Sequence, residues 1–227
     1  MRFGEELLAS TLNLALVPTA VLPYNTLKAL LNDIVAAKLS RLADSTASGN
    51  PVSVPSHADL PPFKTFSALL DAAIANINGY YSRRLALYSI DLVANTQKLE
   101  ISPSSSPAAS STNTNNYDDS HSQITSHLLN LHKDLLLLHE YAQINLKGIH
   151  KLIKKHDKVT AGNPLLAEVY KVKLEGLELA NSNKLNALIA EIIVRRCIYS
   201  RVEGLVILLN EHYNPRQLKK HVTTMHC

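Results

Sequence analysis

With 2 cysteines in 227 residues, the chain has no disulfide framework to staple it, and neither Cys197 nor Cys227 sits in a CxxC or Cys/His spacing that would hold zinc. Such usage points to a reducing compartment. Glycine is scarce, at 7, and β-branched residues are thinly spread. Apolar positions instead recur at three- and four-residue spacing, which predicts helices. Nowhere do about eighteen uncharged apolar residues run together, so no membrane-spanning helix is expected. The start, MRFGEELLAS, offers one basic residue, two acids and no apolar core, unlike a cleaved signal. A Gly-rich phosphate loop, a GxSxG elbow, HExxH or HxxxH pairs and a paired carboxylate cluster are all missing. The expectation is a non-enzymatic chain without catalytic residues, metal or cofactor, in the cytoplasm, the nucleus or at the cytosolic face of a membrane.

What is present is enough apolar sequence, 46%, for one sizeable core. The fold class expected is all-α, a single domain over 1–212 followed by a basic tail over 213–227. Two stretches interrupt the helical pattern: 43–62 (ADSTASGNPVSVPSHADLPP) and 101–123 (ISPSSSPAASSTNTNNYDDSHSQ). Both are rich in Ser, Pro, Asn and Asp, too poor in apolar residues to bury, and are expected to be mobile loops. Around them lie a short helix near Glu5–Ser10, a helix over 24–42 with Leu27, Leu30, Leu31 and Ile34 on one face, and two long helices over about 64–99 and 123–158. Asn78-Gly79 would ordinarily mark a turn, but the apolar period runs through it, so the first long helix is expected to continue at a cost of about 1 kcal/mol for the glycine. The second buries Ile124, Leu128, Leu131, Leu135, Leu138 and Ala142. Helices of that length reach on the order of 50 Å and suit an antiparallel hairpin. Two more are expected within 164–212. There is no internal repeat.

The net charge of +4 is local. Lys147, Lys151, Lys154, Lys155 and Lys158 less Asp157 account for all of it, within INLKGIHKLIKKHDK. On a helix the five lysines fall within an arc of roughly 100°, opposite Leu146, Ile149, Leu152, Ile153 and His156. Like charges at i,i+4 cost a few tenths of a kcal/mol per pair, and the stripe holds three such pairs: 147/151, 151/155 and 154/158. A basic last turn can be simply a solvated helix end. A stripe over three turns exceeds that benefit, and a partner carrying several phosphates is the more economical account.

These residues resemble a known family. INLKGIHKLIKKHDK is similar to the signature of the SPX domain, in which a Leu-Asn pair, an aromatic and a K-x-x-K-K-x-D-K run close the long core helix. MRFGEEL resembles the family's M-K-F-G start, YNTLKALL its Y-x-x-L-K segment, and INGYYSRRLALYSIDL its Val, Asn and paired-aromatic stretch. The resemblance implies a helical bundle with two long antiparallel core helices, a small N-terminal helical hairpin, and a basic surface for inositol polyphosphates and pyrophosphates that report phosphate status. It maps a phosphate-binding cluster onto Tyr24, Lys28 and Lys151, a lysine surface cluster onto Lys154, Lys155 and Lys158, and the N-terminal basic residue onto Arg2. Lys147 extends the same stripe beyond the family pattern. The ligand implied is inositol hexakisphosphate or a diphosphoinositol phosphate. The partner implied is an effector of phosphate homeostasis, such as a cyclin-dependent kinase complex or an attached catalytic or transport domain.

Departures concentrate near the N-terminus. Arg2 replaces a Lys, Ile149 stands where an aromatic is usual, and STLNLALVPTAVLP lacks the aromatics that ordinarily fix the hairpin. Arg83 and Arg84 are followed by no acid through Tyr88. Competing readings are a basic amphipathic membrane-surface element for phosphoinositides or a protein-interaction scaffold. The lysine helix has no Trp or Phe to enter an interface, and no aromatics beside its lysines to stack nucleobases, so nucleic acid is not an expected partner. Histidines 121, 127, 132 and 139 follow spacings of six, five and seven, which do not make a metal-ligand pair. His156 is expected to pack on its helix face, and His150 to flank the stripe.

Overall fold

The computed structural model describes residues 3–13, 20–48, 61–100, 114–160 and 165–212. Among them are six helices and no strand: α1 (Phe3–Asn13), α2 (Tyr24–Ser48), α3 (Pro61–Glu100), α4 (Thr114–Thr160), α5 (Leu165–Glu175) and α6 (Asn183–His212). The chain is all-α, as the periodicity predicts. Its two long helices run 40 and 47 residues, or about 60 and 70 Å at 1.5 Å per residue. The expected helix through Asn78-Gly79 is observed.

Helix ends differ from expectation where polar composition predicts loop. α2 continues over 43–48, α3 opens on Pro61, and α4 starts at Thr114 rather than near 123. No Pro or Gly lies between Leu42 and Gly49 or between Pro107 and Gly148, so nothing local breaks those turns, while Pro61-Pro62 occupies first-turn positions where proline is tolerated. Residues 49–60, 101–113 and 213–227 lie outside the described residues, and the expected mobility of the two loops falls largely on them. α5 stops at Glu175 instead of continuing to Ala180. After Gly176 the chain tightens into i,i+3 bonds: the Leu177 N–H donates to the Leu174 carbonyl at 3.0 Å and that of Ala180 to Leu177 at 3.1 Å. The Asn78 side chain accepts the Leu179 N–H at 3.0 Å, which gives that mid-helix asparagine a structural task.

The backbone groups into two compact units, Met1–Tyr88 with Leu135–Leu185 and Ser89–Asp134 with Asn186–Cys227. In the first, α3 and α4 pack antiparallel: Phe66 lies against His156, and Tyr80 against Tyr141. Their shared core holds Phe66, Leu70, Ile74, Ile77 and Tyr81 from α3 with Leu135, Leu138, Ile149 and Leu152 from α4, joined by Leu27, Leu31 and Ile34 of α2. Each such side chain contributes roughly 1.5–3 kcal/mol when fully buried. α5 is tied on at Asp71, whose carboxylate accepts from the Tyr170 hydroxyl at 2.8 Å and from Lys173 Nζ at 2.7 Å. In the second unit Leu92, Leu128, Leu131 and Ile192 are buried, and the Asp91 carboxylate and Asn95 amide converge on His127 Nε2 at 3.1 and 2.8 Å.

Candidate phosphate-binding site

The site begins with two buried polar residues of α4. The Asn145 side chain, 1% exposed, accepts the Leu22 backbone N–H at 3.2 Å and donates to the Tyr141 carbonyl at 2.8 Å. Tyr141 donates its hydroxyl to the Ala20 carbonyl at 2.6 Å, with the Ile77 carbonyl a second acceptor at 3.3 Å. Burial raises the Tyr141 phenol well above its ordinary range, so it stays a donor at any physiological pH. Backbone that precedes α2 thus finds partners in the protein interior, as buried N–H and C=O groups must.

One turn further along α4, Gly148 allows close approach. A Cβ there would meet Leu22 Cδ2 at 2.6 Å and the Phe3 ring at 3.1 and 3.3 Å. Phe3 is the hub that results. Its ring meets Tyr24 edge-on with centroids 4.9 Å apart, and Lys151 Nζ lies 4.1 Å over its face. Gly4 meanwhile lies against the Asn25 side chain. The N-terminal turns of α1 and α2 therefore meet beside the lysine stripe.

The stripe forms as the spacing predicts. Lys147, Lys151, Lys154 and Lys158 are exposed and Lys155 is half-buried, while Ile149, Leu152, Ile153 and His156 are buried on the other side. The like-charge cost is offset locally at three positions. Lys147 Nζ donates to Glu6 Oε1 of α1 at 2.6 Å, Lys151 is held by the cation–π contact with Phe3, and Lys155 donates to Asn32 Oδ1 of α2 at 3.1 Å. Positive charge still accumulates. Lys155 has its pKa pushed down, first by partial burial and then by the Lys28 ammonium. Tyr24, half-buried, has its phenol pushed up by burial and remains protonated. Glu6 has its carboxyl pulled down, chiefly by the Lys147 hydrogen bond and further by the Lys151 charge.

Of the eight residues singled out from sequence, Tyr24, Lys147 and Lys151 are joined through Phe3 and Glu6, and Lys155 reaches Asn32 of α2 and is repelled by the Lys28 ammonium. Lys154 and Lys158 are exposed on the same stripe, and Arg2 lies outside the described residues. Sequence reasoning missed Phe3, Glu6, Asn32 and Gly148. Glu6 and Gly148 do carry signals, an acid in the first turn of an amphipathic helix and a glycine inside an otherwise regular one, but neither spacing says which partner it meets. His150 is exposed and donates to its own turn, to the Leu146 carbonyl at 2.7 Å. Among the described residues, no group of three or more His, Cys, Asp or Glu could hold a metal ion, and no helix is long and apolar enough to cross a membrane.

Comparison with known proteins agrees with this architecture. The SPX domain family model matches residues 82–167, a stretch that includes the whole lysine stripe. SPX domain-containing protein 4 of Oryza sativa subsp. japonica is 27% identical over 97 residues, 43% of this chain. The chain spans 30% of that relative's length. Among solved structures, the SPX domain of Chaetomium thermophilum Glycerophosphodiester Phosphodiesterase 1, in complex with inositol hexakisphosphate, matches with a TM-score of 0.58 at 19% identity, covering 88% of this chain and 99% of that one. That likeness shows the fold: an SPX-type helical bundle.

Proposed function

We propose that the chain is a phosphate-status sensor that binds inositol hexakisphosphate or a diphosphoinositol phosphate at Tyr24, Lys28 and Lys151, with Lys147, Lys154, Lys155, Lys158 and Arg2 extending the surface. The observation that carries this reading is the convergence of Tyr24 and Lys151 on the Phe3 ring, with Lys155 tied to Asn32 of α2 and repelled by the Lys28 ammonium. A multiply charged anion relieves that repulsion and takes the phenol hydrogen bond at once. The meeting N-terminal turns of α1 and α2 add favourable dipole ends for an anion. Ligands of this class also accompany the similar solved structure. The reading makes the chain a sensor rather than a catalyst, passing occupancy to an effector protein or attached domain in phosphate homeostasis on the cytosolic side.

The test is isothermal titration of inositol hexakisphosphate and a diphosphoinositol phosphate into the chain and its Lys151→Ala, Lys154→Ala, Lys155→Ala variant, at two salt concentrations. Expected are micromolar or tighter binding that weakens with salt and its loss in the variant. Equal binding by both proteins would remove the lysine stripe from the site. Retention on phosphoinositide vesicles without binding of the soluble anions would instead mark a membrane-surface element, although Ile149, Leu152 and Ile153 are buried and leave that helix little to insert.

A further inference from the structure

Glu6 is an acid inside the basic surface. It projects from the first turn of α1, where a carboxylate is favoured by the helix dipole, and reaches across 141 residues of sequence to Lys147 Nζ at 2.6 Å. The same α1 turn carries Phe3, whose ring holds Lys151. Lys147 and Lys151 are one helical turn apart, so one face of α1 touches both. Lys147 also lies 5.6 Å from the Phe3 ring centroid. Lys147 and Glu6 are each roughly half exposed, at 50% and 41% of their side chains, so an ion from solvent can reach the pair. Such an exposed pair is readily exchanged for a stronger partner.

Resting on the reading of the site above, we infer that Glu6 is a built-in competitor for Lys147 that sets the affinity and the size preference of the anion. A phosphate that reaches Lys147 must displace the carboxylate, whereas an anion satisfied by Tyr24, Lys28, Lys151 and Lys155 leaves it in place. The carboxylate occupies the position a further phosphate oxygen would take. It therefore weakens binding of the larger, more highly phosphorylated ligand, and the displaced charge leaves α1 with one link fewer to α4.

The experiment is a double-mutant cycle on the full chain: wild type, Glu6→Gln, Lys147→Ala and the pair, each titrated with inositol hexakisphosphate and with an inositol trisphosphate. Circular dichroism checks that all four are equally helical. Expected is a roughly three- to tenfold tightening for hexakisphosphate in Glu6→Gln, little change for trisphosphate, and loss of the gain when Lys147 is already alanine. A gain of the same size with and without Lys147 would mean that Glu6 acts only as a distant negative charge, and the inference fails. Equal binding by wild type and Glu6→Gln also overturns it while leaving the sensor reading intact. If neither binds any inositol phosphate, both readings fall. Binding only after Glu6→Gln supports competition strong enough to close the site.

Discussion

His156 faces inward from α4 with its imidazole nearly parallel to the Phe66 ring, at an interplanar angle of 12°, and tilted against Phe63 at 5.4 Å. It is 2% exposed. Burial pushes its pKa below the ordinary 6.5, an effect only partly opposed by the neighbouring Asp157 carboxylate. The folded protein therefore resists a proton that the unfolded chain accepts readily, and protonation favours unfolding. Stability from this group is fully present above the unfolded value of 6.5 and is lost as pH falls toward the lowered folded value, levelling off below it. We expect the thermal midpoint of the wild type to drop between pH 7 and pH 5 more than that of His156→Phe, which keeps an aromatic in the stack and cannot titrate. Parallel midpoint profiles would show that the imidazole is not held neutral by its surroundings.

At the scale of elements, α4 carries the site because one side of it is core and the other is charge, and Gly148 decides how near α1 comes. In Gly148→Ala two effects oppose. Helix propensity gains about 1 kcal/mol, while forcing a methyl against Leu22 and Phe3 costs typically 1–3 kcal/mol. The gain belongs to α4 and the loss to the contact with α1, so overall stability should fall by about 0–2 kcal/mol while α1 loosens. Hydrogen exchange is expected to speed up over residues 3–13 and 20–22, with α3 amides unchanged; uniform exchange across the chain would contradict this. The same division explains what could be read in advance. The long helices, the lysine stripe and its buried reverse face follow from periodicity within single segments. That Lys155 leans on Asn32, or that Phe3 lies under Lys151, depends on contacts more than a hundred residues apart in sequence, which no local pattern encodes. Helix ends are less legible, because Ser, Asn and Asp favour loops only weakly where no Pro or Gly breaks the helix, as at Thr114.

At the scale of the whole molecule, α3 and α4 each contribute residues to both compact units, while the candidate site draws on one of them alone: α1, α2 and the C-terminal part of α4. A ligand that binds only the folded site stabilises by mass action, about 2.7 kcal/mol when present at a hundred times its dissociation constant. For a chain of this size that corresponds to a rise in midpoint of roughly 5–10 °C. We expect that shift with inositol hexakisphosphate in a thermal scan, and its absence in the Lys151→Ala, Lys154→Ala, Lys155→Ala variant. A similar rise in the variant would locate the stabilising anion elsewhere.

The grip of Tyr141 and Asn145 has a consequence for which substitutions the chain tolerates. What they hold at Ala20 and Leu22 is a carbonyl oxygen and an N–H, atoms that nearly every amino acid supplies. Substitutions in that segment can accumulate without loosening the hold, provided proline does not remove the N–H at position 22 and the replacement fits the space beside Gly148. The hold at this end is thus written in main-chain geometry more than in side-chain letters.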